Sequence, residues 1–166
     1  MADYQEERSG IPLTIRTAHD GSSCSPYIAI DFDGSASGGE NPITRRVVNE
    51  DELTEAQKES ADMFYITCSE AELRAAQSTS VGLLRMGKEA GPAQCAAAAS
   101  GASLGNLRID KNSKAKEEGF EPGASLCAVT PSGRVARATI TKITYAGSGG
   151  WIPTVEFDLT TWIRNS

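Results

Sequence analysis

Apolar and polar positions alternate with a period of two along most of the legible stretches of this chain, most clearly at the C-terminal end. In "WIPTVEFDLTTWI", Val155, Phe157 and Leu159 fall on one side and Glu156 and Asp158 on the other, the pattern of a strand with one wet face. Before it, "SLCAVT" and "RVARATITKITY" flank Pro131-Ser132-Gly133 and predict a hairpin. On its second arm Val135, Ile143 and Tyr145 share one face, and Ala136, Ala138 and Ile140 the other. Three consecutive strands predict a C-terminal three-stranded meander. Upstream, "PLTIRT" places Leu13 and Ile15 on one face, and "YIAIDF", "FYITC" and "SVGLLRM" read as further strands.

Helical patterns are fewer. "GPAQCAAAAS" is the clearest, with Pro92 suited to a first turn, alanines supplying propensity and Gly101 able to end it. "NEDELTEAQKESADMF" is polar helix material that Asn49 could cap, and "SEAELRAAQ" carries a capping box in Ser69 and Glu72. Residues 1–11 read as a flexible tail, "GSASGGENP" and "GSGG" as loops, and "GNLRIDKNSKAKEEGFEPG" as an exposed, charged excursion. No internal repeat is evident. The expectation is one β-dominated α+β domain over residues 12–166, with a mainly antiparallel sheet and one or two short helices.

Charge narrows the partners. The 166 residues carry a formal net charge of −6, with no Lys/Arg cluster to offset it, so nucleic acid is disfavoured. No apolar run approaches the roughly 18–20 residues that cross a bilayer, and "MADYQEERSG" has no signal-peptide core. The segment is therefore cytosolic, or a mature or excised piece of a larger protein. Cysteine usage arbitrates. Cys24, Cys68, Cys95 and Cys127 are widely spaced and form no C-x-x-C, and His19 is the sole histidine, so zinc and thioredoxin-type sites lack their basic units. An even, dispersed set suits disulfides, with three pairings open and four buried thiols as the alternative. Sequential pairing, Cys24 with Cys68 and Cys95 with Cys127, closes the shorter loops. Each bridge would restrict the unfolded chain by about 3–4 kcal/mol and place the domain in an oxidising compartment.

Candidate chemistry centres on "IAIDFDGS". Asp31 and Asp33 resemble the first motif of the haloacid-dehalogenase-like phosphatases, which implies Asp31 as nucleophile, Asp33 as general acid/base and magnesium between them. That fold needs a parallel sheet, whereas the last third of this chain is consecutive strands. The later acidic pair is also wanting, since Asp110 is isolated and Asp158 alternates outward. Lys111 and Lys114, the candidate phosphoryl clamps, lie in the polar excursion. A strand running into a turn accounts for the two aspartates, which at most line a weak cation site. The proximity of His19 and Cys24 allows a Cys–His pair, but a turn histidine beside a bridged cysteine explains it more simply. Ser35, Ser37 and Ser80 form no G-x-S-x-G elbow, and Trp151 and Trp162 read as packing beside the last strand.

Three blocks stand in order: "GSSCSPYIAIDFD", "GPAQCAAAAS" and "GASLCAVTPSGRVARATITKI" with its closing "TTW". Together they resemble small extracytoplasmic disulfide-containing modules of actinobacterial secreted or single-pass membrane proteins. The carrying positions are Cys24, Asp31-Phe32-Asp33, Pro92, Cys95, Cys127, Thr130, Gly133, Arg134, Ala136 and Trp162, with Thr160 or Thr161. The resemblance implies that the Cys95 helix pairs with the Cys127 hairpin, and it implies a non-catalytic binding role toward a protein or envelope ligand. It assigns no catalytic residue, no metal ligand and no cofactor. The stretches Asn41 to Asp62 and Gly105 to Pro122 look longer than such modules need, and the second is an expected recognition loop.

Overall fold

A computed structural model describes residues 3–16, 27–34, 43–47, 54–55, 60–67, 71–76, 79–87, 91–101, 106–110, 114–145 and 152–165. Ten strands run in chain order: β1 (Asp3–Ile15), β2 (Tyr27–Ile30), β3 (Thr44–Val47), β4 (Met63–Thr67), β5 (Ala71–Ala75), β6 (Ser80–Leu84), β7 (Asn106–Arg108), β8 (Ser125–Val129), β9 (Val135–Thr144) and β10 (Thr154–Asn165). Two described helices interrupt them, α1 (Pro92–Gly101) before β7 and α2 (Ala115–Glu118) after it. The strands form two five-stranded sheets, ordered β1-β10-β9-β8-β6 and β3-β2-β4-β5-β7. Every pairing is antiparallel. The β-dominated antiparallel character expected from the alternating pattern is what the chain has.

The two sheets share one core. Leu13, Ile15, Leu126, Ile140 and Phe157 come from the first sheet, and Ile30, Met63, Tyr65, Leu73 and Leu107 from the second. α1 packs on the outer face of the first sheet, over β6, β8 and β9. This explains why "SLCAV" is buried along almost its whole length. Leu126 and Ala128 join the core between the sheets, whereas Cys127 joins Cys95, Ala99, Val135 and Trp162 beneath the helix. A strand covered on both faces reads as continuous rather than alternating apolar sequence. The Cys95–Cys127 disulfide, with Cα atoms 5.1 Å apart, fastens α1 to β8. Gly82 on β6 sets the approach: a Cβ there would lie 2.1 Å from the Ala98 carbonyl oxygen of the helix.

Three expectations give way. The capping box at Ser69 and Glu72 pointed to a helix, but Ala71–Ala75 is strand β5. Its alternation decides: Ala71 and Leu73 are fully buried, and pairing with both β4 and β7 outweighs a local cap. The expected tail over 1–11 differs from Asp3 onward, because β1 pairs with β10 out to the Asp3–Asn165 register. That ladder slips between Glu6 and Arg8 and again between Arg8 and Ile11, with Gly10 at φ 64°. Irregular register hid the strand from a strict period-two reading. Finally, the excursion expected to be exposed buries Leu107, Ile109, Asp110, Ala115 and Phe120, with Arg108, Lys114, Lys116, Glu117 and Glu118 exposed outside that buried base. Of the polar helix expected over 49–64, Glu55 and Ser60 are helical, Met63 and Phe64 belong to β4, and most of the rest lies outside the described residues.

Candidate functional site

The end of β2 is where the two sheets are tied together. Apolar β2 stops at Ile30, and Asp31 to Gly34 make a tight turn closed by the Gly34 N–H donating to the Asp31 carbonyl (2.9 Å). The Asp33 N–H donates to Asp31 Oδ1 at 2.9 Å, the local bond that makes aspartate a turn former. Phe32, 1% exposed, is the anchor between them and plugs the core. Both aspartates are thereby left on the polar side of a pinned turn.

A third carboxylate joins them from the start of β4. The Asp62 N–H donates to the Ile30 carbonyl (2.7 Å), which fixes its side chain beneath the turn. Asp62 Oδ2 accepts the Phe32 N–H at 2.8 Å, and Oδ1 accepts the Thr79 hydroxyl at 3.0 Å. One carboxylate oxygen from each of Asp31, Asp33 and Asp62 lies within 4.8 Å of the others. Asp62 is completely buried. Its loss of hydration, reinforced by the charges of Asp33 and Asp31, outweighs the two hydrogen bonds and pushes the carboxyl up to about 7. Burial likewise raises Asp31, and the neighbouring Asp33 charge adds to that.

Two arginines from the first sheet complete the arrangement. Arg134, in the turn between β8 and β9, donates from Nη1 to Asp33 Oδ1. Its Nε and Nη2 reach Glu7 Oε1 and Oε2 at 2.6 and 2.7 Å, a fork-on-fork pair. The Arg134 hydrogen bond is the main reason the Glu7 carboxyl sits below the usual range, and the same contact raises Arg134 itself. Arg8 donates to the Gly34 carbonyl and, at 2.5 Å, to that of Phe32. Thr161 donates to Glu7 Oε1 at 3.1 Å and closes the network against β10. The turn is thus clamped by Arg8 of β1 and by Arg134 of the β8–β9 turn, with Thr161 of β10 bracing Glu7 and Arg8.

Such a set offers hard oxygen ligands suited to a divalent cation, and a proton that comes and goes near neutrality at Asp62. It does not reproduce phosphoryl-transfer machinery. The parallel sheet is absent among the described strands, Asp33 is committed to Arg134, and Lys114 is exposed at the start of α2. Comparison with family models, curated proteins and solved structures finds no match.

The remaining candidates scatter. Cys95 and Cys127 meet in a disulfide, whereas Cys24 and Cys68 lie outside the described residues, as do His19, Ser35, Ser37, Lys111 and Trp151. Ser80 opens β6 on the surface. Trp162 is 7% exposed, packed under α1 with the Arg137 guanidinium 5.2 Å from its ring centroid. Asp110, isolated in sequence, is held by Arg108 Nη2 at 2.9 Å. Asp62 escaped sequence reasoning because "ESADMF" looked like the end of a helix. An acidic residue directly ahead of the apolar alternation in "MFYIT" was the available signal.

Proposed function

We propose that the chain is a non-catalytic extracytoplasmic binding module that recognises a protein or cell-envelope ligand. The observation that carries this reading is the buried Cys95–Cys127 bridge, which fixes a helix to an antiparallel scaffold. Structural disulfides persist in oxidising compartments. The bridge also joins two of the three blocks on which the resemblance to actinobacterial extracytoplasmic modules rests. The proposal includes a second bridge, Cys24–Cys68, and the C-terminal meander as the platform that the stapled helix covers. No described helix is long and apolar enough to cross a membrane, so attachment to one would fall to another segment.

A free-thiol count in denaturant without reductant tests this directly. No free thiol is the expected result. Four free thiols in protein from its native source, together with magnesium-dependent turnover of p-nitrophenyl phosphate that Asp31→Asn abolishes, would replace the module with a cytosolic phosphatase.

A further inference from the structure

α1 covers β6, β8 and β9, and Trp162 of β10 and Tyr4 of β1 pack in the same cluster as the helix. A half-open hollow of about 500 Å³ lies between the helix and the β1–β10 end, within the size range of small-molecule sites. Ala93, Ala96 and Ala97 form its helical wall, and Val129 and Val135 of the hairpin form the facing apolar surface. Methyl groups along that helix face leave space that larger side chains would fill.

The polar side chains of the lining are those of Tyr4, Ser100, Ser132 and Arg164. Tyr4 and Arg164 stand opposite each other in the β1–β10 register and both line the cavity. Arg164 is the only charged residue among the described lining, and it has no acidic partner among the described residues. It complements one negative charge attached to an apolar body. A polyanion would call for several cations. We propose that this cavity binds an amphiphilic monoanion, a carboxylate on an aliphatic chain, with the tail along the α1 alanines and the carboxylate on Arg164. Cys95 projects from α1 into the sheet, so its bridge to Cys127 holds the helical wall in place without occupying the cavity. The site deepens the binding role proposed above and does not depend on the compartment.

The test is calorimetric titration of the full chain with sodium decanoate below its micellar concentration, beside 1-decanol as the uncharged counterpart. Decanoate should bind with micromolar affinity and decanol at least roughly tenfold more weakly. Ala97→Trp, at an exposed helix position, should fill the cavity and abolish binding of both. Arg164→Gln should weaken decanoate roughly tenfold and leave decanol unchanged. Unchanged urea midpoints would show that both variants remain folded. Decanol binding as tightly as decanoate, either variant leaving decanoate binding intact, or no binding by folded, oxidised protein would each overturn the site. None of these results alters the thiol count on which the broader reading stands.

Discussion

Replacing Asp62 by asparagine should stabilise the protein above pH 7 and change little near pH 4. In the folded protein the Asp62 carboxyl is held up to about 7 from its ordinary 3.8. Between those values the folded chain keeps a proton that the unfolded chain has lost. Stability contributed by the protonated group is therefore fully present below the ordinary carboxylate value and drains away as pH rises through about 7. At about 1.4 kcal/mol per pH unit, the loss by pH 8 is at most roughly 4 kcal/mol, a large share of a typical 5–15 kcal/mol domain stability. Asparagine removes the charge without removing the bonds. Its carbonyl can accept the Phe32 N–H now taken by Oδ2, and its amide can donate to the Thr79 hydroxyl, which rotates to accept. Urea unfolding of both proteins from pH 4 to 9 at constant ionic strength measures the difference. The variant should gain about 2–4 kcal/mol on the wild type between pH 4 and 8. A difference that stays flat across this range, or a variant weaker at pH 8, would refute the reasoning.

Three further outcomes follow from the packing. Arg134→Gln should lose about 1–2 kcal/mol at neutral pH by releasing Glu7 and Asp33. The Glu7 share of that loss should shrink in acid, since a lowered carboxyl contributes above the ordinary range and fades as pH falls through its own value; urea midpoints at pH 3–7 check the sign. Replacing both Cys95 and Cys127 by alanine should cost about 3–4 kcal/mol for a separation of 32 residues, with a larger urea m-value from the freer unfolded chain. Gly82→Ala should lose about 1–3 kcal/mol because the Ala98 carbonyl blocks the new methyl, and thermal unfolding would register it as a fall in Tm.

What the sequence made legible was local. Strand-type runs located β2, β4, β6 and β8, alternation located β9 and β10, and alanine propensity located α1, because each is decided by neighbours within a few residues. β5 was misread for the same reason: Ser69 and Glu72 are close in sequence, whereas the β4 and β7 ladders that override them are tertiary. The candidate site was half visible. Asp31 and Asp33 announced themselves by spacing, but Asp62 lies some thirty residues on, and Arg134 reaches Asp33 across a sequence separation of 101 and Glu7 across 127. No pattern of local period encodes such distances. The charged excursion was misjudged because Leu107, Ile109 and Phe120 are isolated apolar residues in polar sequence, and only the packed sheets show them to be core.

The kinked ladder of β1 has a consequence for solution behaviour. A thirteen-residue strand at the rim of a sheet offers a row of open amides and carbonyls to any extended chain that meets it. The two register slips and the left-handed Gly10 interrupt that row, so a second molecule cannot zip along its full length. A straightened rim, as in a variant lacking Gly10, should seed intermolecular β-assembly, which thioflavin fluorescence and light scattering at high concentration would reveal.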